Sequence, residues 1–299
     1  MEKVPPLPDD LLELGRKVAP RIAFLVGCAR SGTSILGEAI AEHPQVTYLF
    51  EVSSIWNDLV PERPDHRLSR PDATADVARA IYPALASARD EAERPARAGS
   101  PPEAQAAPAS AGGELLLEKN PKHVIRIPFL DALFPRAKFL HIVRDARDTV
   151  ASLMFRNRGD RWGHLEIPGW RDLLARYPAE NHIRCAHQWR AAVSTARSDA
   201  EGLAPERYRE VRYEDLLKDP HEILRQVLEF LELPPHPAVE AFLSKIQDAT
   251  AGSYHARRQV RHYVEDHSRR VGRYLENLTS RQVKEIEEIC GDLMRELGY

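Results

Sequence analysis

The sequence predicts an α/β protein, a three-layer fold with a central parallel sheet flanked by helices. Three observations lead there. Residues 22–26 are a short, continuous apolar run of strand length, as expected where both faces of a strand are buried, and KFLHIV (138–143) reads as another buried strand. Such runs alternate with stretches of helical spacing, the order of βαβ units. The first run also ends in a glycine turn that passes at once into a helical pattern.

The elements follow in order. Residues 9–18 read as a short amphipathic helix ahead of Pro20, and RIAFLVG (21–27) as the first strand. CARSGTS (28–34) is a turn, 35–44 has helical spacing and stops at Pro44, and VTYLF (46–50) is a second strand. Residues 52–94 are charged and helix-leaning. From Pro95 to Gly113 every residue except Arg97, Glu103 and Gln105 is Ala, Pro, Gly or Ser, a composition that buries too little to offset its ordering entropy. That stretch is expected to be a mobile loop within one domain spanning 1–299. ELLLE (114–118) resumes as a strand, with a helix over about 122–133. KFLHIV (138–143) is a third buried strand and opens another helix. Helical spacing returns at 178–199, strand then helix at 208–217, and helices at 220–231, 237–245 and 279–297.

Composition narrows the function. Of 299 residues 43% are hydrophobic, enough for a sizeable core. The 42 basic and 45 acidic side chains leave a net charge of −3, so no nucleic-acid partner is expected. Cys28, Cys185 and Cys290 are odd in number, far apart and without a CxxC pair, which argues against a disulfide framework or thiolate zinc and fits a reducing cytoplasm. The twelve histidines show no HExxH spacing, and no metal is expected. No stretch approaches the ~20 apolar residues of a membrane span, and MEKVPPLPDD lacks the apolar run of a signal peptide. Oligomeric state is not legible.

Residues 27–34, GCARSGTS, have the GxxxxG–[ST] spacing of a P-loop between a buried strand and a helix, which makes the fold P-loop NTPase-like. Backbone N–H groups at a helix start, with hydroxyls at Thr33 and Ser34, form a ready anion site around Ser31 and Gly32. A nucleotide triphosphatase needs lysine where Thr33 stands, and here the cation is Arg30 within the loop. The turn suits a phosphate but is poorly equipped to transfer a γ-phosphoryl group.

A second arginine-rich loop follows the strand 138–143. Arg144 lies at the strand end, where open α/β sheets bind ligands, and Ser152 and Arg156 share one face of the next helix. Together they suit a second phosphate. An alternative reads Asp145 as the metal-binding acid of an NTPase.

The two loops together resemble the sulfotransferases that use 3′-phosphoadenosine 5′-phosphosulfate (PAPS). RSGTS (30–34) is similar to their 5′-phosphosulfate loop, and FLHIVRDARDTVASL (139–153) to their 3′-phosphate segment. VRYEDLL (211–217) resembles the segment whose tyrosine, here Tyr213, lies by the adenine, and VGRYLENLT (271–279) the family's C-terminal ending. The nearer likeness is to the branch of protein-tyrosine and bacterial sulfotransferases. That resemblance implies Glu51 as general base, although Phe50 stands where a second acidic residue is common. It implies Lys119 and Arg30 as stabilisers of the leaving phosphate. Arg258 and Arg269, within the arginine-rich stretch 253–273, are implied at the 3′-phosphate. His123 ranks behind Glu51 as base, His141 reads as a core side chain, and Trp56, Trp162, Trp170 and Trp189 are candidates for core or acceptor pocket. The implied reaction moves a sulfuryl group to an acceptor hydroxyl of a small molecule, sugar or phenol and releases 3′,5′-adenosine bisphosphate (PAP). The alternatives are an atypical P-loop kinase lacking the Walker lysine and a nucleotide-binding module without activity.

Overall fold

A computed structural model describes residues 6–93, 115–156, 165–247 and 270–299. The stretch 95–113, Trp162, Arg258, Arg269 and the side chain of Arg156 lie outside the described residues.

Among the described residues, five strands form one parallel sheet: β1 (Ile22–Val26), β2 (Val46–Phe50), β3 (Leu115–Lys119), β4 (Lys138–Val143) and β5 (Tyr208–Arg212), in the order β2-β3-β1-β4-β5. Along β1, Ile22, Phe24 and Val26 enter one core while Ala23 and Leu25 enter the other, the period-two alternation of a doubly covered strand. The first core is closed by α1 (Asp9–Val18), α4 (Ala75–Glu93), α5 (Ile127–Leu133), α6 (Ala146–Arg156), α8 (Asn181–Ala200) and α13 (Ser280–Glu296). The second is closed by α2 (Thr33–Ala41), α9 (Tyr213–Lys218), α10 (Pro220–Phe230) and α11 (Pro237–Gln247). The P-loop NTPase-like three-layer fold is therefore the one observed. Short helices α3 (Ser53–Asp58), α7 (Trp170–Arg176) and α12 (Tyr274–Asn277) complete the described elements. No described helix is long and apolar enough to cross a membrane.

Register decides the placement of the site. Phe50 pairs with Lys119, Leu25 with Lys119, Val26 with His141 and Val143 with Arg212. The parallel strands thus end together, and the residues that follow them gather at one edge of the sheet.

Two expectations shift. The strand at 114–118 runs one residue further, so Lys119 is its buried last member. The helix over 122–133 is broken. Pro121–Ile125 form a 3-10 turn, Arg126 adopts φ −130°, and α5 begins at Ile127. Pro128 has no N–H to give to the carbonyl of Val124, so one continuous helix would lose a bond and clash there.

Candidate active site

The glycine turn is shaped by two close approaches. A Cβ on Gly27 would lie 2.6 Å from the carbonyl oxygen of Ile142, so only glycine lets the end of β1 lie against β4. Gly32 has φ +98°, and a Cβ there would come within 2.4 Å of Tyr213 Cδ2. Arg30, with φ +75°, is held in the left-handed region that costs a side-chain-bearing residue about 1–2 kcal/mol. Its Nε donates to Ser152 Oγ at 3.0 Å, which joins the two loops directly. Ser31 is fully buried and its hydroxyl has no hydrogen-bond partner. Thr33 and Ser34 open α2, where N–H groups of the first turn face outward without intrahelical acceptors.

Arg144 leaves the end of β4 and is almost wholly buried. Its guanidinium lies 4.8 Å over the ring of Tyr213, donates to the carbonyls of Arg30 (3.1 Å) and Arg270 (2.5 Å), and lies 3.6 Å from Asp148. Its Nε is buried without a partner. Three supports fix this loop. Trp189 Nε1 donates to the Arg144 carbonyl at 2.9 Å, and the Asp145 N–H donates to Glu214 at 3.1 Å. Asp148 accepts the backbone N–H groups of Gly272 (2.8 Å) and Tyr274 (2.9 Å), which moors the 270–274 segment beside Arg144. Burial pushes the Asp148 carboxyl above its usual range, against the pull of Arg144. Asp145 is engaged by the N–H and guanidinium of Arg147, an arrangement of loop stabilisation rather than of an open metal ligand.

The third strand end carries Glu51, whose φ of +49° turns the chain out of β2 while its N–H donates to the Lys119 carbonyl at 2.8 Å. Its carboxylate pairs with Lys119 Nζ, and the same ammonium lies 4.5 Å over the Phe50 ring. Lys119 is 2% exposed. Burial holds its pKa below the usual lysine value, Glu51 and Glu118 act to raise it, and Arg30 acts to lower it.

The other candidates separate from this group. His123 has no exposed surface. It lies edge-on to Trp56 (4.6 Å) and Phe24 (5.5 Å), and burial depresses its pKa. His141 is likewise buried, with Nδ1 2.6 Å from the Tyr208 hydroxyl. Trp56, Trp170 and Trp189 are core residues. The structure thus brings Arg30, Gly32, Arg144, Ser152 and Tyr213 into mutual contact, with Lys119 and Glu51 beside them. Sequence reasoning missed Asp148 and Glu214, and it named Trp189 without its bond to the Arg144 carbonyl. Asp148 and Glu214 stand inside segments already singled out, whereas nothing in the sequence ties Trp189 to Arg144. Chemically, the edge offers cations and unpaired donors for two anionic groups, and a carboxylate within reach of one of them.

Residues 21–238 match the profile of the sulfotransferase family. The protein-tyrosine sulfotransferase of Drosophila melanogaster is 28% identical over 236 residues, covering 75% of this chain and 41% of that protein. The nodulation protein NoeE of Sinorhizobium fredii is 27% identical over 297 residues, covering 94% of this chain and 66% of that one. The chain spans less than two thirds of the length of either relative. Among solved structures, a mouse sulfotransferase complexed with PAP shares the fold with a TM-score of 0.51 at 15% identity, over 96% of this chain and 89% of that one. The matched stretch contains the glycine turn and the ends of all five strands, and the chain belongs to the sulfotransferase family.

Proposed function

We propose that the protein transfers a sulfuryl group from PAPS to an acceptor hydroxyl and releases PAP. The observation that carries this reading is the pairing of Glu51 with buried Lys119 at the sheet edge, next to a glycine turn whose cation is Arg30. The residues fit the donor. The partnerless Ser31 hydroxyl and Arg144 Nε are buried polar groups of the kind a phosphate oxygen satisfies.

When bound, PAPS supplies the sulfuryl group and the leaving phosphate. Arg30, Ser31, Gly32, Thr33 and Ser34 hold the 5′-phosphosulfate through backbone N–H groups, hydroxyls and the guanidinium. Arg144 and Ser152 hold the 3′-phosphate, joined by Arg156, Arg258 and Arg269, and Tyr213 lies by the adenine. Glu51 receives the proton of the acceptor hydroxyl. Lys119 and Arg30 donate to the charge that develops on the leaving phosphate oxygen, so the catalytic contribution is mostly positioning and electrostatics. The acceptor is a small molecule, sugar or phenol. All three cysteines are buried and none forms a disulfide, which suits a cytoplasmic setting.

The test is Glu51→Ala. Transfer of labelled sulfuryl from PAPS across a panel of hydroxyl acceptors is expected to fall ~10²–10⁴-fold, the scale of a lost general base, while PAP still binds. Near-normal transfer in this variant removes Glu51 from the mechanism.

A further inference from the structure

The turn after α13 directs one side chain back toward the phosphate loops. Gly298 takes φ +77°, the left-handed conformation that closes many helices. The Tyr299 N–H donates to the Met294 carbonyl at 2.9 Å and the Gly298 N–H to the Arg295 carbonyl at 3.1 Å, the paired bonds of a Schellman motif. This turn sets Tyr299 against the end of β5. There the Arg212 guanidinium lies 4.4 Å over the tyrosine ring and donates to the Gly298 carbonyl at 3.2 Å.

The Tyr299 hydroxyl donates to Glu214 Oε2 at 2.8 Å. The other oxygen of that carboxylate, Oε1, accepts the N–H of Asp145, the residue after Arg144. One carboxylate therefore joins Tyr299 to the backbone of the loop that carries Arg144. Burial, and the charge of Glu214, push the Tyr299 hydroxyl above its usual range, so it keeps the proton it donates. Burial raises the Glu214 carboxyl as well, and the N–H groups of Asp145 and Glu214, the Tyr299 hydroxyl and Arg144 act to lower it. A carboxylate placed this way needs its donors, because a missing one leaves a buried acceptor unsatisfied.

We infer that Tyr299 is a positioning residue for nucleotide binding, whose hydroxyl holds Glu214 against the Asp145 N–H and thereby sets Arg144 where the 3′-phosphate is received. That purpose rests on the sulfotransferase reading above, while the link from Tyr299 to Asp145 does not. Trp189 and Asp148 hold the same loop from other sides, so losing this link weakens the site without abolishing it. The link acts at the ends of β4 and β5, whereas Glu51 and Lys119 stand at the ends of β2 and β3, across β1 in the sheet. Its loss is therefore expected in nucleotide binding and not in turnover.

The experiment compares Tyr299→Phe, which keeps the ring beside Arg212 and removes only the hydroxyl, with Ile286→Val, which trims a buried side chain of α13 and leaves Glu214 untouched. Both are read by amide hydrogen exchange at Asp145, by calorimetric titration with PAP and by transfer from PAPS across the hydroxyl panel. In Tyr299→Phe the Asp145 N–H is expected to exchange at least about threefold faster, and PAP to bind about threefold to thirtyfold more weakly, the range for a residue acting through a contact network. KM for PAPS rises in step at constant kcat, the mark of lost uniform binding. Ile286→Val should bind PAP as wild type does. Unchanged exchange at Asp145 in Tyr299→Phe overturns the inference, and so does a PAP affinity within about twofold of wild type. Equal weakening in Ile286→Val also overturns it, since the effect would then be one of stability alone. A wild type that binds no PAP refutes the nucleotide reading and with it the purpose of Tyr299, whereas PAP binding left unmoved by Tyr299→Phe refutes Tyr299 alone.

Discussion

Replacing Gly32 with alanine tests how the glycine turn, the adenine-side tyrosine and the phosphate arginine depend on one another. The added Cβ meets Tyr213 Cδ2 at 2.4 Å, Tyr213 Cε2 at 2.8 Å and Ile142 Cδ1 at 3.3 Å, on a backbone with φ +98°. The conformational cost is about 1–2 kcal/mol, and overpacking a filled site adds about 1–3 kcal/mol. The ring has little room to yield, since Tyr213 is 2% exposed and the Arg144 guanidinium lies 4.8 Å above it. Gly32→Ala is therefore expected to lose about 2–5 kcal/mol, which for a domain of this size lowers Tm by roughly 4–10 °C. The assay is urea unfolding with thermal denaturation, on Gly32→Ala, Tyr213→Ala and the double variant. Because the alanine at 213 removes the clash, the double variant should lose at least about 1 kcal/mol less than the sum of the two singles. A Gly32→Ala protein within about 0.5 kcal/mol of wild type, the range of an ordinary surface change, would refute the close packing described.

Two further outcomes follow from the contacts of His66 and Asp148. Burial, with Lys122 and Arg126 nearby, pushes the His66 imidazole down to about 4, and its Nδ1 accepts the Glu166 N–H at 2.9 Å. The unfolded chain takes up this proton first as pH falls, so His66 contributes stability that is present above about pH 6.5 and lost toward pH 4. Wild type should lose about 2 kcal/mol more than His66→Gln between pH 7 and 4.5 in urea unfolding, and equal slopes would discount the effect. Asp148→Ala strips the acceptor from the Gly272 and Tyr274 N–H groups, and both amides should exchange with deuterium at least about tenfold faster, for a loss of about 2–4 kcal/mol. Unchanged exchange at those two positions would show that the mooring lies elsewhere.

What could be read from the sequence divides along physical lines. β2 and β4 fall on the residues expected of them, because short runs rich in β-branched and aromatic residues carry a strand preference of their own and need no partner to be recognised. The break at Arg126 and the helix Trp170–Arg176 were not legible, since each depends on packing more than on periodicity. Arg30, Gly32, Arg144, Ser152 and Tyr213 could be grouped in advance because they occupy fixed offsets from strand ends. Their supports could not. Glu214, 69 residues from Asp145, and Trp189, 45 residues from Arg144, are ordinary helix residues until the chain folds. Lys119 shows the limit most plainly. A lysine after an apolar run reads as the end of burial, yet here it closes a buried strand because Glu51 meets it there.

The central claim is that the two loops hold the two phosphates of a PAPS-type nucleotide. Calorimetric titration with PAP, beside ATP with magnesium, on wild type and Arg144→Ala tests it most directly. Arg144 is expected to give the 3′-phosphate two charge-assisted hydrogen bonds of about 1.5–3 kcal/mol each, so the variant should bind PAP about 10²-fold or more weakly. Wild type that binds PAP, with that loss in Arg144→Ala, is the result this account predicts. Tight binding of ATP with magnesium and no response to PAP would contradict it.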